Sequence, residues 1–134
     1  MKKLIRKMLD YRTCRFLALA WMALIFWLSS LPDIPGPELF SAQDKGGHFV
    51  VYGILGFFIT RSLGTWARGL GWRVVIVVTI AVAAYGATDE LHQMFVPGRN
   101  PSLFDLLFDT AGGFISALLM HRYSHLWDSL DTIQ

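Results

Sequence analysis

Four apolar stretches, each close to the ~20 residues a helix needs to cross a bilayer, make up most of this chain. They leave little else from which to build a fold. The first runs from about Phe16 to Leu31 (FLALAWMALIFWLSSL) and stops at Pro32. The second runs from about Gly47 to Leu63, with Arg61 near its end, where a long side chain is expected to snorkel toward headgroups. The third begins near Trp72, passes through VVIVVTIAVAAYGA and continues as helix through ATDELHQMF. The fourth runs from about Leu103 to Met120 and holds Asp109 within it. A chain of 134 residues without alternating segments cannot close a transmembrane barrel, so strands are a poor alternative. The expected fold is all-α, a four-helix transmembrane bundle.

Composition closes off the other classes. Apolar residues make up 54% and charged residues 16%, where an average soluble domain carries about a quarter charged. Ten Phe, five Trp and four Tyr add more bulk than so short a chain hides in a soluble core. Mean hydropathy is +0.44. Disorder is excluded by the same numbers. A lone Cys14 excludes a disulfide framework and a four-cysteine metal site. The net charge of +2 is too small to point to nucleic acid.

Lys and Arg placement orients the bundle. The N-terminal flank carries Lys2, Lys3, Arg6, Lys7, Arg12 and Arg15, and the loop between the second and third stretches carries Arg61, Arg68 and Arg73. The tail adds Arg122, and the other two connections hold only Lys45 and Arg99. The positive-inside rule then places both termini in the cytoplasm. MKKLIRKMLDYRTCR looks like a signal-peptide n-region, but only SSLPDIPGPE follows the apolar run, with no small-residue cleavage site. It is read as a retained first helix behind a basic segment lying on the cytoplasmic surface. The expected organisation is a basic segment over residues 1–15, a membrane domain over 16–120 and a cytoplasmic tail over 121–134.

The acids cluster in or beside the two outer connections: Asp33, Glu38, Asp44, Asp89, Glu90, Asp105 and Asp109. Ser41-x-x-Asp44 has capping-box spacing and opens the second helix, on which Asp44, His48, Tyr52 and Leu55 share a face beside Lys45. Gly86, Asp89 and Gln93 share a face at the end of the third helix, with Glu90 flanking and His92 turned away. Pro97-Gly98 and Asn100-Pro101 break the chain, and Ser102-x-x-Asp105 opens the fourth helix. There Ser102, Asp105, Asp109, Gly112 and Ser116 form a third stripe. Gly112–Ser116 and Gly113–Ala117 are small-xxx-small pairs suited to close helix contact.

Each of these residues has a plain structural role open to it. Asp44 and Asp105 suit helix caps, His48 and Tyr52 suit an interface, and Arg99 suits lipid phosphate. The tryptophans Trp21, Trp27, Trp66, Trp72 and Trp127 are mostly interface anchors or lipid-facing bulk. The set weighs differently from its members. An ionisable group at a helix centre in a bilayer costs about 2.5–3.5 kcal/mol, and three helices present such groups from one side. One shared outward pocket, with His48, Lys45 and Arg99 offsetting the acids, is the economical arrangement.

The residues DKGGHFVVYGILG at Asp44–Gly56, ATDELHQMFVPGRNPSLFD at Ala87–Asp105 and DTAGG at Asp109–Gly113 carry a resemblance. On them the chain resembles the VanZ-like family of small bacterial membrane proteins, over roughly residues 15 to 120. Where this chain has Asp109, the family more often has Asn before a similar Gly pair. The resemblance implies a multi-pass protein of the bacterial inner membrane. It also implies association with low-level resistance to teicoplanin, a lipid-tailed glycopeptide, without remodelling of the peptidoglycan peptide.

Three functional classes follow. In the first, the pocket binds an envelope lipid, a lipid-linked glycan or a lipoglycopeptide antibiotic. Its ligand-binding residues are Asp44, Lys45, His48, Tyr52, Asp89, Glu90, Gln93, Arg99, Asp105 and Asp109. In the second, a membrane hydrolase or transferase acts on a lipid-linked substrate, with His48 as general acid or base, oriented by Asp44 or Asp89, and Glu90 as its counterpart. Asp44, His48, Asp89, Glu90, Asp105 and Asp109 supply enough oxygen and nitrogen donors for a metal, but no metal-ligand spacing is present. No metal or cofactor is expected. The third class, an ion-coupled transporter, needs a homo-oligomer and ranks last. Membrane lipids are the expected partners, and nucleic acid is not.

Overall fold

The computed structural model describes residues 10–32 and 41–124, and the side chains of all of these except residues 41–45 and 65. Among the described residues every regular element is a helix. There are five: α1 (Tyr11–Ser29), α2 (Ser41–Ser62), α3 (Thr65–Leu70), α4 (Arg73–Gln93) and α5 (Leu103–Arg122). The expected count of four is thus corrected by α3, a short helix in the basic loop between the second and third apolar stretches. Gly64 and Gly71 bracket it, each at φ +54°, a backbone region that only glycine enters freely. Three helices, α1, α4 and α5, are long and apolar enough to cross a bilayer. The 22-residue α2 has the length but includes Lys45, His48 and Arg61 and several glycines.

α1 begins at Tyr11, five residues before the apolar run does. The Asp10 carboxylate caps it by accepting the Arg12 amide hydrogen at 3.2 Å, so Tyr11–Arg15 of the basic flank are helical. The rest of that flank lies outside the described residues. Ser30 closes the helix, its hydroxyl donating to the Phe26 carbonyl at 2.6 Å.

α5 lies closely against both α2 and α4. Glycine makes that approach possible. A Cβ on Gly112 would overlap the Phe49 carbonyl of α2, and one on Gly113 would stand 2.7 Å from Val82 of α4. These two positions bear out the close contact expected of the small-residue pairs. α1 joins from the side. Trp21 donates its indole N–H to the Val51 carbonyl at 2.9 Å, and the Tyr85 hydroxyl donates to the Met22 carbonyl at 2.6 Å. Trp21 is therefore an inter-helix tie, whereas Trp27, Trp66 and Trp72 are exposed.

Large apolar side chains lie on the outside as well as in the core. Phe16 (71%), Phe95 (84%) and Leu103 (80%) lie largely exposed, while Arg61, Asp89, Glu90, Gln93 and Asp109 are buried. An apolar exterior, with acids enclosed beside an apolar core, is what a lipid solvent selects. Arg61, expected to snorkel outward, is buried instead. It lines a cavity of about 280 Å³ with Thr60, Arg68 and His121.

Candidate functional site

The polar residues of four helices meet at the end of the bundle where α4 hands the chain to α5. They form two adjoining groups. In the first, Asp89 of α4 accepts three hydrogen bonds: from the Ser29 hydroxyl of α1 at 2.6 Å, the Tyr52 hydroxyl of α2 at 3.1 Å and the Gln93 amide at 3.1 Å. Tyr52 and Asp89 are both almost fully enclosed. Three donors on one carboxylate are what allow an acid to sit so deep.

In the second group, His48 Nδ1 of α2 and Asp109 Oδ1 of α5 are 2.9 Å apart. Asp109 has no exposed surface, and its Oδ2 has no hydrogen-bond partner. Glu90 reaches the same place from α4. Its Oε2 accepts the Ser102 amide hydrogen at 2.7 Å, while Oε1 is buried without a partner. Helical periodicity explains the division: Asp89 and Gln93 lie four residues apart on one side of α4, and Glu90 lies a quarter-turn away toward α5. The rings of His48 and Tyr52, one turn apart on α2, run nearly parallel with centroids 6.3 Å apart.

His48 connects this cluster to an open cleft of about 230 Å³. Its polar lining is His48, Tyr52, Asp89, Gln93, Arg99 and Ser29, and Ile25, Leu28 and Val51 supply apolar walls. Arg99 makes no ion pair with the described acids that it was expected to offset. Its guanidinium forks onto two carbonyls where α1 ends, Leu28 at 3.4 Å and, just beyond the helix, Leu31 at 3.2 Å. Asp105 sits half-buried in the first turn of α5, and Ser102 caps that helix through the Phe104 amide at 3.2 Å. The side chains of Asp44 and Lys45 lie outside those described. His92 stands apart, bonded to Ser30 at 2.9 Å and stacked on Phe26.

Asp109, rather than Asp89, is thus the acid described on the His48 ring, and Asp89 serves Tyr52. Two participants have no counterpart in the sequence reading, the Ser29 hydroxyl and the Ser102 amide. Ser29 left a faint signal as a polar residue closing an apolar run. The amide left none.

The fold and site define a helical protein with three apolar helices long enough to cross a membrane and an ionisable cluster enclosed at one end. The chain belongs to the VanZ/LLP1 family, whose model matches residues 14–125. Comparison with curated proteins and with solved structures finds no significant match.

Proposed function

We propose that this protein spans the bacterial inner membrane four times, with both termini in the cytoplasm, and that its outward cleft holds the polar headgroup of an amphiphile. The ligand is an envelope lipid, a lipid-linked glycan or a lipoglycopeptide antibiotic. All three share a hydroxyl-, amine- or phosphate-bearing head on an apolar tail. One observation carries the reading: the cleft is itself amphipathic, with Ile25, Leu28 and Val51 facing His48, Asp89, Gln93 and Arg99. Carboxylate and amide groups suit hydroxyls and amines, and the guanidinium suits phosphate.

Native mass spectrometry of gently extracted protein tests it. A retained amphiphile that Arg99→Ala and Gln93→Ala both lose supports binding at the cleft. A retained amphiphile indifferent to both, or none at all, refutes it. The topology has its own test: a cysteine at Asn100 labels from outside intact cells, and one at Ser124 only after permeabilisation.

The hydrogen-bonded His48–Asp109 pair beside the cleft favours a second reading, a hydrolase or transferase acting on the same amphiphile. His48 then moves the proton and Asp109 holds its ring. A bound species chemically altered from the added lipid distinguishes it from binding alone.

A further inference from the structure

We infer that His48, Glu90 and Asp109 form a site for a divalent metal ion of the zinc class. One ligand atom from each residue lies within 4.8 Å of the other two. In a tetrahedral site with bonds of roughly 2.0–2.2 Å, neighbouring donors stand about 3.3 Å apart, so small side-chain rotations close the set.

Two further observations turn this acidic cluster into a ligand site. The first is a pair of orphaned oxygens. Asp109 is fully buried with Oδ2 unpartnered, and Glu90, 8% exposed, spends Oε2 on the Ser102 amide and leaves Oε1 unpartnered. Buried carboxylate oxygens without donors are costly, and a cation supplies what both lack. The second is the space left beside Asp109. A Cβ on Gly86 would stand 3.0 Å from Asp109 Oδ2, so glycine keeps the approach to that oxygen free of a side chain.

The donor chemistry selects the ion. Two carboxylates and one imidazole, without a thiolate, suit Zn²⁺ better than Mg²⁺ or Ca²⁺, which prefer oxygen alone. The two carboxylates also cancel the charge of a divalent ion, and a neutral assembly is less costly between spanning helices than two bare acids. Three protein ligands leave a coordination position for water or a ligand group. His48 borders both the trio and the cleft, so a bound ion would lie beside the amphiphile site. The inference does not depend on what the cleft holds.

The test uses the full-length protein in detergent, stripped with EDTA and titrated with ZnCl₂ in a calorimeter. One ion per chain is expected. Affinity falls at least tenfold in Glu90→Gln and in Asp109→Asn, and is unchanged in Asp105→Asn and in the cleft variant Arg99→Ala. Co²⁺ in place of Zn²⁺ gives visible d–d bands that His48→Gln shifts or abolishes. Should Asp109→Asn fail to fold, Glu90→Gln carries the comparison, because its amide oxygen still accepts from Ser102. Failure of the stripped wild type to take up Zn²⁺ overturns the proposal, as does wild-type affinity in Glu90→Gln.

Discussion

Glu90 of α4 accepts the backbone amide hydrogen of Ser102 at 2.7 Å, the bond that a capping box would draw from Asp105 three residues further on. The start of α5 is therefore pinned by the helix before it, across the Pro97–Pro101 turn. The same carboxylate joins the enclosed cluster with its other oxygen. Glu90→Ala is expected to leave that amide without an acceptor and to lower stability by about 1–3 kcal/mol. Glu90→Gln keeps an acceptor and costs less than about 1 kcal/mol. Thermal unfolding in one detergent compares the two, and equal losses would show that the bond to Ser102 is of no consequence.

The glycines at the α5 contact differ in what they touch. Gly112 faces the Phe49 carbonyl, which is backbone, whereas Gly113 faces the Val82 side chain at 2.7 Å. Gly113→Ala should cost about 1–3 kcal/mol by overpacking and be only partly relieved by Val82→Ala, which removes two methyls but keeps the Cβ that would stand 2.8 Å away. Gly112→Ala has no such remedy, since α2 and α5 must separate. The double variant of each glycine with Val82→Ala measures the coupling; rescue of Gly112→Ala would contradict this packing.

Asp89 gathers donors from Ser29, Tyr52 and Gln93, so its charge and both its oxygens are in use. Asp89→Asn turns one acceptor into a donor that faces other donors, and should cost about 2–3 kcal/mol. Tyr52→Phe removes one bond only and should cost about 1 kcal/mol, because two donors remain on the acid. Chemical unfolding of the two variants ranks them, and a larger loss in Tyr52→Phe would reverse the assignment of Asp89 as the hub.

Arg99 separates binding from folding. It is only partly buried and donates to two carbonyls where α1 ends, Leu28 and Leu31, so Arg99→Ala should destabilise by less than about 1 kcal/mol. Loss of a retained amphiphile alongside that small change would place the effect in the cleft. Arg99→Lys cannot fork between two carbonyls and should restore little order to the end of α1. Hydrogen exchange over the last turn of α1 reads this directly; full recovery with lysine would argue for charge alone.

The apolar runs by themselves determined the all-α class and the positions of α4 and α5, because a bilayer solvent leaves long uncharged helices few alternatives. The faces of those helices were equally legible. Gly86, Asp89 and Gln93 follow from a period of 3.6 residues, and all are buried as that face requires. Periodicity within a helix carries no information about which face of another helix lies opposite. Tertiary structure alone therefore paired His48 with Asp109, gave Asp89 to Tyr52 and sent Arg99 to the end of α1. It also decided where α3 forms, between two glycines at positive φ and beside the cavity that Arg61 lines. The glycine contacts of α5 set the depth at which the acids of α4 and α5 meet, and that depth follows from a few atoms at Gly112 and Gly113.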